Sequence, residues 1–192
     1  MLRWIPIAAW MACVIYSTIP AYWLMIHPFA GYWRKRRITP FLVLIPVWML
    51  LWVAVAWMTA SRREIVLYSS RWAWIPAAVL FAVGFWTYRQ SSRQFSARLL
   101  GGFPELQPGT GEQRLVTTGI RSRVRHPIYL AHLCEMLAWA AGTGLLVCYA
   151  LLPLALVTGA IMIRTEDQEL ERRFGEPFRA YRRQVPALLP RI

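Results

Sequence analysis

From Ile38 to Ala60 the chain carries no charged residue, and no other feature constrains its fold as strongly. A stretch of that length and character matches the hydrocarbon thickness of a bilayer when helical. It is not isolated. Residues 4–26 and 145–163 are also apolar and free of Asp, Glu, Lys and Arg. Hydrophobic residues make up 57% of the chain and charged ones only 16%, a balance that places it among polytopic membrane proteins. At 192 residues a single domain is expected, with three N-terminal spans over 1–89 and a second half over 90–192.

The net charge of +13 would suggest nucleic acid in a soluble chain. Here the positive-inside rule accounts for it, and no aromatic-basic module accompanies the charge, so no nucleic-acid partner is expected. Of the 22 Lys and Arg, four lie at 34–37, seven between 89 and 125 and seven between 164 and 191. Only Arg3, Arg62, Arg63 and Arg71 lie elsewhere. That asymmetry predicts the N-terminus outside and the C-terminus in the cytoplasm of a prokaryotic inner membrane. Cys13, Cys134 and Cys148 sit in apolar segments without CxxC spacing and read as small buried hydrophobes.

The expected fold is all-α, with about five transmembrane helices. Spans are expected near Trp4–Ile26, Thr39–Ala60 and Trp72–Tyr88. A short fourth helix begins at Pro127, a favourable first helical residue, and runs to about Ala141. Gly142-Thr143-Gly144 turns the chain into a fifth, Leu145 to Ile163. Residues 91–100 read as an amphipathic surface helix, followed by turns at Gly101–Pro104 and Pro108–Gly111. A separate charged helix is expected from Arg164 to about Arg173, with Gly175 just past its end. A last short helix from Glu176 brings Phe178, Tyr181 and Val185 onto one face, and the Pro-bound apolar ending folds back.

Ionisable groups at membrane depth are costly and mark functional sites. The fourth helix carries Tyr129, His132 and Glu135 at three-residue spacing, on one broad face. Arg125 and His126 stand at its mouth, and Arg164, Glu166 and Asp167 follow the returning helix. The two polar stretches are expected to form one site on one side of the membrane. A bound metal is not expected. His126 and His132 are six apart, unlike a helical i, i+4 zinc pair, and His27 lies on another helix. No nucleophile elbow is present.

Leu115-Val116-Thr117-Thr118-Gly119 followed by Arg125-His126-Pro127-Ile128-Tyr129 resembles the cofactor signature of the isoprenylcysteine carboxyl methyltransferase and phospholipid methyltransferase superfamily. The tail Arg164-Thr165-Glu166-Asp167-Gln168-Glu169-Leu170, with Phe174-Gly175, Phe178, Tyr181, Val185-Pro186 and Pro190, is similar to that family's closing signature. The likeness covers residues 110–192. It implies an integral membrane enzyme that uses S-adenosyl-L-methionine to methylate a lipophilic small molecule or a lipid. It further implies that Arg114, Arg121, Ser122, Arg123, Val124, His126, Tyr129, Glu135, Glu166 and Tyr181 bind the cofactor, with His126, Arg164 and Glu166 at the reacting centre. Met162 stands where prenylcysteine-specific members have Arg, which leaves amine and thiol acceptors open beside carboxylates. The competing expectation is an NADPH-dependent sterol or steroid reductase, a class with a similar His-Pro-x-Tyr loop.

Overall fold

The computed structural model describes residues 4–35, 41–93 and 115–190. The expected amphipathic helix at 91–100, beyond its first residues, and the turns at 101–111 lie outside the described residues, as does Arg114. The described chain is all-helical. Its helices are α1 (Trp4–Ile26), α2 (Ala30–Arg34), α3 (Phe41–Thr59), α4 (Trp74–Ser92), α5 (Pro127–Thr143), α6 (Leu146–Phe174) and α7 (Glu176–Gln184). Among the described residues, three are long and apolar enough to cross a membrane: Trp4–Ile26, the stretch Phe41–Arg62 and Leu146–Phe174. The chain is therefore a membrane protein.

The core forms where α1, α5 and α6 meet. Ala9, Trp10, Cys13 and Val14 of α1 pack on Met136 and Ala140 of α5 and on Val147, Cys148, Leu151 and Ala155 of α6. Many of these side chains are small, which lets the helices approach closely, as association inside lipid requires. By contrast, Leu44 is the one fully buried residue of α3, and Trp57 is 81% exposed. An apolar helix so exposed is stable only against hydrocarbon.

One end of the bundle is closed by a backbone clasp. Leu67 N donates to Gly144 O at 2.8 Å and Leu146 N to Ile65 O at 2.9 Å, around the isolated bridge Val66–Leu145. Tyr68 donates its hydroxyl to Ala141 O at 2.8 Å. Gly144 has φ +67°, and a Cβ there would clash with Tyr68 O, so this turn requires glycine. Nearby, Trp10 Nε1 donates to Thr59 Oγ1 at 2.9 Å, tying α1 to the end of α3.

Two segment expectations change. The fifth apolar segment and the charged stretch after it form one continuous helix, α6, of 29 residues. Arg164 interrupts nothing because a helical backbone satisfies its own polar groups on both sides of an apolar boundary. The third segment starts as a 3-10 turn, Arg71–Ala73, and extends through Ser92.

Candidate functional site

The site is built at the end of the bundle opposite the clasp. His126 is the residue before α5, and Pro127 begins that helix. Glu166 and Asp167 are adjacent on α6, so their side chains leave the helix in different directions. The His126 ring lies between them. Its Nδ1 is 3.2 Å from Glu166 Oε2, and its Nε2 is 3.1 Å from Asp167 Oδ1. Two carboxylates facing both ring nitrogens require both nitrogens to be donors, which describes an imidazolium. Burial alone would push the His126 pKa down. The Glu166 charge, hydrogen bonds to Asp167 and Glu166 and the Asp167 charge outweigh it, and the pKa rises to about 9.

Arg125 completes the arrangement. Its NH2 group donates to Asp167 Oδ2 at 2.7 Å, and its NH1 group donates to the carbonyls of Arg182 and Val185. The backbone joins in: Arg125 N donates to Pro186 O at 2.9 Å and His126 N to Ala187 O at 3.0 Å. The apolar ending thus folds back, as its proline-bound sequence predicts. Phe178, Tyr181 and Val185 form one cluster with Leu115, Leu170 and Phe174, and Tyr181 donates its hydroxyl to Arg121 O at 2.6 Å.

Beside this network lies a cavity of about 550 Å³. Of the residues expected in a site, Arg121, His126, Tyr129, Glu166 and Tyr181 line it, together with Arg125. Among the described residues Glu166 is the one carboxylate lining it, and its side chain remains 20% exposed. Ser122, Arg123, Val124, Glu135 and Arg164 are not among them. Ser122 turns back to Gly119 O, Arg123 and Arg164 are exposed, and Val124 is fully buried in packing. Glu135 lies deeper along α5, where Tyr16 donates to it.

The N-terminal helices supply walls that the expected division into halves missed. Tyr22, Trp23 and His27 of the α1 end, Trp48 of α3 and Tyr88 of α4 all line the cavity, as does His132. The chain has three histidines, and all three are there. The available signal was the aromatic cluster Tyr22-Trp23 one turn before His27, on the helix end that a hairpin reading leaves out. Among the described residues, the buried Tyr129 hydroxyl finds no hydrogen-bond partner, and neither does the buried Nδ1 of His27 or of His132. Among the described residues, no three His, Cys, Asp or Glu gather closely enough to hold a metal ion. The arrangement offers Arg guanidinium groups, one carboxylate and aromatic faces, which suit an organic ligand bearing both charges.

An 85-residue stretch of the chain is 40% identical to the cobalt-zinc-cadmium resistance protein CzcN of Cupriavidus metallidurans, covering 44% of this chain and 39% of that protein. It is 38% identical, over the same shares, to the nickel-cobalt-cadmium resistance protein NccN of Alcaligenes xylosoxydans xylosoxydans. The chain spans about two fifths of the length of the curated relatives it matches. No family model matches, and no solved structure matches. These relatives are named for metal resistance, which overturns the expected membership in the methyltransferase superfamily and the expected methyl-transfer activity. The reductase alternative finds no support in them either.

Proposed function

We propose that this chain is a membrane protein of divalent-metal resistance that acts through an amphiphilic organic ligand bound in the cavity. The resistance part of the reading is supported by the two relatives and is limited to the stretch they share. The ligand part rests on the lining. Among the described residues, Arg121, Arg125 and Arg173 stand there with Glu166, Arg125 also paired with Asp167 and Arg173 with Glu169. The same groups complement a zwitterion with an apolar body: guanidinium groups for its anionic part, and Glu166 with the aromatic walls for its cationic part. S-adenosyl-L-methionine belongs to that zwitterionic class and enters the test as a probe.

Five crossings are part of the same proposal. The clasp joins the loop after α3 to the α5–α6 turn, and Trp74 at the start of α4 lies against Gly142 at that same end. His27 at the end of α1, Ser92 at the end of α4, His126 at the start of α5 and Glu166 all border the cavity at the other end. Five helices therefore run between the two ends. The distribution of Lys and Arg favours a cytoplasmic cavity.

The test is genetic and biochemical. Cells lacking the gene become sensitive to cobalt, zinc, cadmium or nickel; the wild-type chain restores tolerance and Glu166→Ala, at equal membrane abundance, does not. Unchanged tolerance on loss of the gene ends the reading. Calorimetry of the purified chain with S-adenosyl-L-methionine, other zwitterionic amphiphiles and the four metal ions identifies what the cavity takes.

A further inference from the structure

At the closed end, the segment joining α3 to α4 is apolar where a connecting loop is ordinarily polar. Ile65-Val66-Leu67-Tyr68 stands between Arg62-Arg63-Glu64 and Ser69-Ser70-Arg71. The clasp holds these residues in place. Leu67 N and Ile65 O are bonded to the α5–α6 turn, Ile65 N donates to Arg62 O at 3.3 Å, and the Tyr68 hydroxyl donates to Ala141 O. Successive side chains of an extended segment point to opposite faces, so packing on the bundle would cover alternate ones. Instead Ile65, Val66 and Leu67 are 45%, 50% and 55% exposed in succession. A segment pinned through its backbone has little freedom to turn these side chains inward, so the apolar surface they present belongs to the fold.

That surface continues along both flanking helices. Trp57 and Met58 lie near the end of α3, Trp72 and Ile75 at the entry to α4, and all four are exposed. Because α3 faces hydrocarbon, the loop extends a surface that already meets lipid. Tryptophan on its flanks is what the boundary between membrane and water selects. The rim is basic. Arg62 and Arg71 are exposed at the two ends of the loop, and the Arg71 guanidinium lies 5.8 Å from the Trp72 ring centroid. Guanidinium groups there suit phosphate oxygens, while their stems and the rings suit the acyl chains beneath. The backbone sets the depth. Ile65 and Leu67 make the bonds on either side of the bridge, so the N–H and C=O of Val66 face away from Leu145. A free edge of that kind is tolerated among headgroups and their water and not within hydrocarbon.

We propose that Ile65, Val66 and Leu67, rimmed by Arg62, Arg71 and Trp72, form an interfacial anchor seated in the phospholipid headgroups and upper acyl chains of the leaflet at the closed end. The occupant of this surface is lipid, not a second copy of the chain. This seating is independent of what the cavity holds and of which way the chain is inserted.

The full chain with Val66→Cys is spin-labelled, reconstituted in phosphatidylcholine liposomes and read by electron paramagnetic resonance. Two relaxing agents are compared: oxygen, which concentrates among acyl chains, and a neutral nickel chelate, which stays in water. Glu64→Cys, at an exposed position two residues earlier, is the reference. Cys13, Cys134 and Cys148 are buried, and wild type treated in the same way sets the background. The Val66 label should be relaxed more by oxygen than by nickel and should lie about 5–10 Å below the phosphates, calibrated with labelled lipids. The Glu64 label should be relaxed more by nickel. Arg62→Gln together with Arg71→Gln should move the Val66 label toward water; a label that stays in place overturns the part assigned to the arginines. If the Val66 variant does not fold, Leu67→Cys takes its place with the same expectation. Nickel relaxing the Val66 label as strongly as the Glu64 label puts the loop in water and overturns the proposal. Broadening between labels that disappears on dilution with unlabelled chain, with neither agent reaching Val66, makes a second copy the occupant and overturns it as well.

Discussion

His126 concentrates the chemistry of the site in one ring, and its charge state is testable. Its pKa is raised to about 9 because Glu166 and Asp167 hold the protonated form. A group with a raised folded pKa contributes stability that is fully present below the ordinary value of about 6.5 and is lost as pH rises through about 9. The melting-temperature gap between wild type and His126→Gln should therefore be constant from pH 5 to about 6.5, narrow between about 6.5 and 9 and level off above 9; a gap flat to pH 10.5 would contradict the imidazolium. Asp167 is buried and paired to both Arg125 and His126. Asp167→Asn leaves Arg125 buried beside a neutral amide and should cost about 3–5 kcal/mol, read by thermal unfolding in detergent. Tyr129 sets the opposite expectation. Its buried hydroxyl has no partner, so Tyr129→Phe should leave ligand-free stability equal or higher while weakening whatever occupies the cavity. An unfolding temperature several degrees lower would reveal a structural role for that hydroxyl.

The helices show why part of the architecture was legible and part was not. The end of α1 at Ile26 falls where its uncharged run was expected to stop. Pro127 opens α5 and Gly175, at φ +61°, ends α6, both as their backbone preferences dictate. The passage from apolar to charged residues at Arg164 suggested a break, yet α6 continues, because hydropathy reports the surroundings of a helix and not its end. The His-Pro-x-Tyr loop and the tail resemble a family's cofactor and closing signatures. Much of what those residues do here is structural: Arg125 and His126 hold the returning tail through their backbones, and Pro127 starts a helix. Short motifs of this kind fix local geometry, which different functions can share. The walls from α1, α3 and α4 were illegible because no spacing rule links residues brought together by tertiary packing. The clasp provides a direct check on these helix connections. Gly144→Ala must accept φ +67° and a clash with Tyr68 O, and the backbone conformation alone costs about 1–3 kcal/mol. Its unfolding temperature in detergent should fall by several degrees, whereas Gly175→Ala, with φ +61° but no atom within 4 Å of the added Cβ, should fall less. Equal losses would mean that the Tyr68 contact contributes nothing.

Taken as one molecule, the chain separates a rigid, closed end from a polar, hollow one, and the membrane explains the division. At the clasp, backbone groups pair with each other and Tyr68 and Tyr149 share a hydrogen bond at 2.6 Å, so little remains to bind a ligand. At the other end lies the cavity, where charged side chains take the place of the small apolar ones of the core. α5 contributes to both. Its 17 residues rise about 25 Å, less than the roughly 30 Å of a hydrocarbon core. Ile45 and Trp48 line the cavity from α3, a helix whose surface is almost wholly apolar and exposed. With eighteen of the 22 Lys and Arg in the sequence segments 34–37, 89–125 and 164–191, orientation is a decisive measurement. A reporter that works only in the cytoplasm should be active when fused after Ile192, and one that works only outside should be active when inserted at Glu64, in the loop before the clasp. The reverse pattern would put the imidazolium and its carboxylates outside the cell. Activity of both fusions on the same side would mean that the helices do not all cross, and the five-crossing arrangement would have to be abandoned.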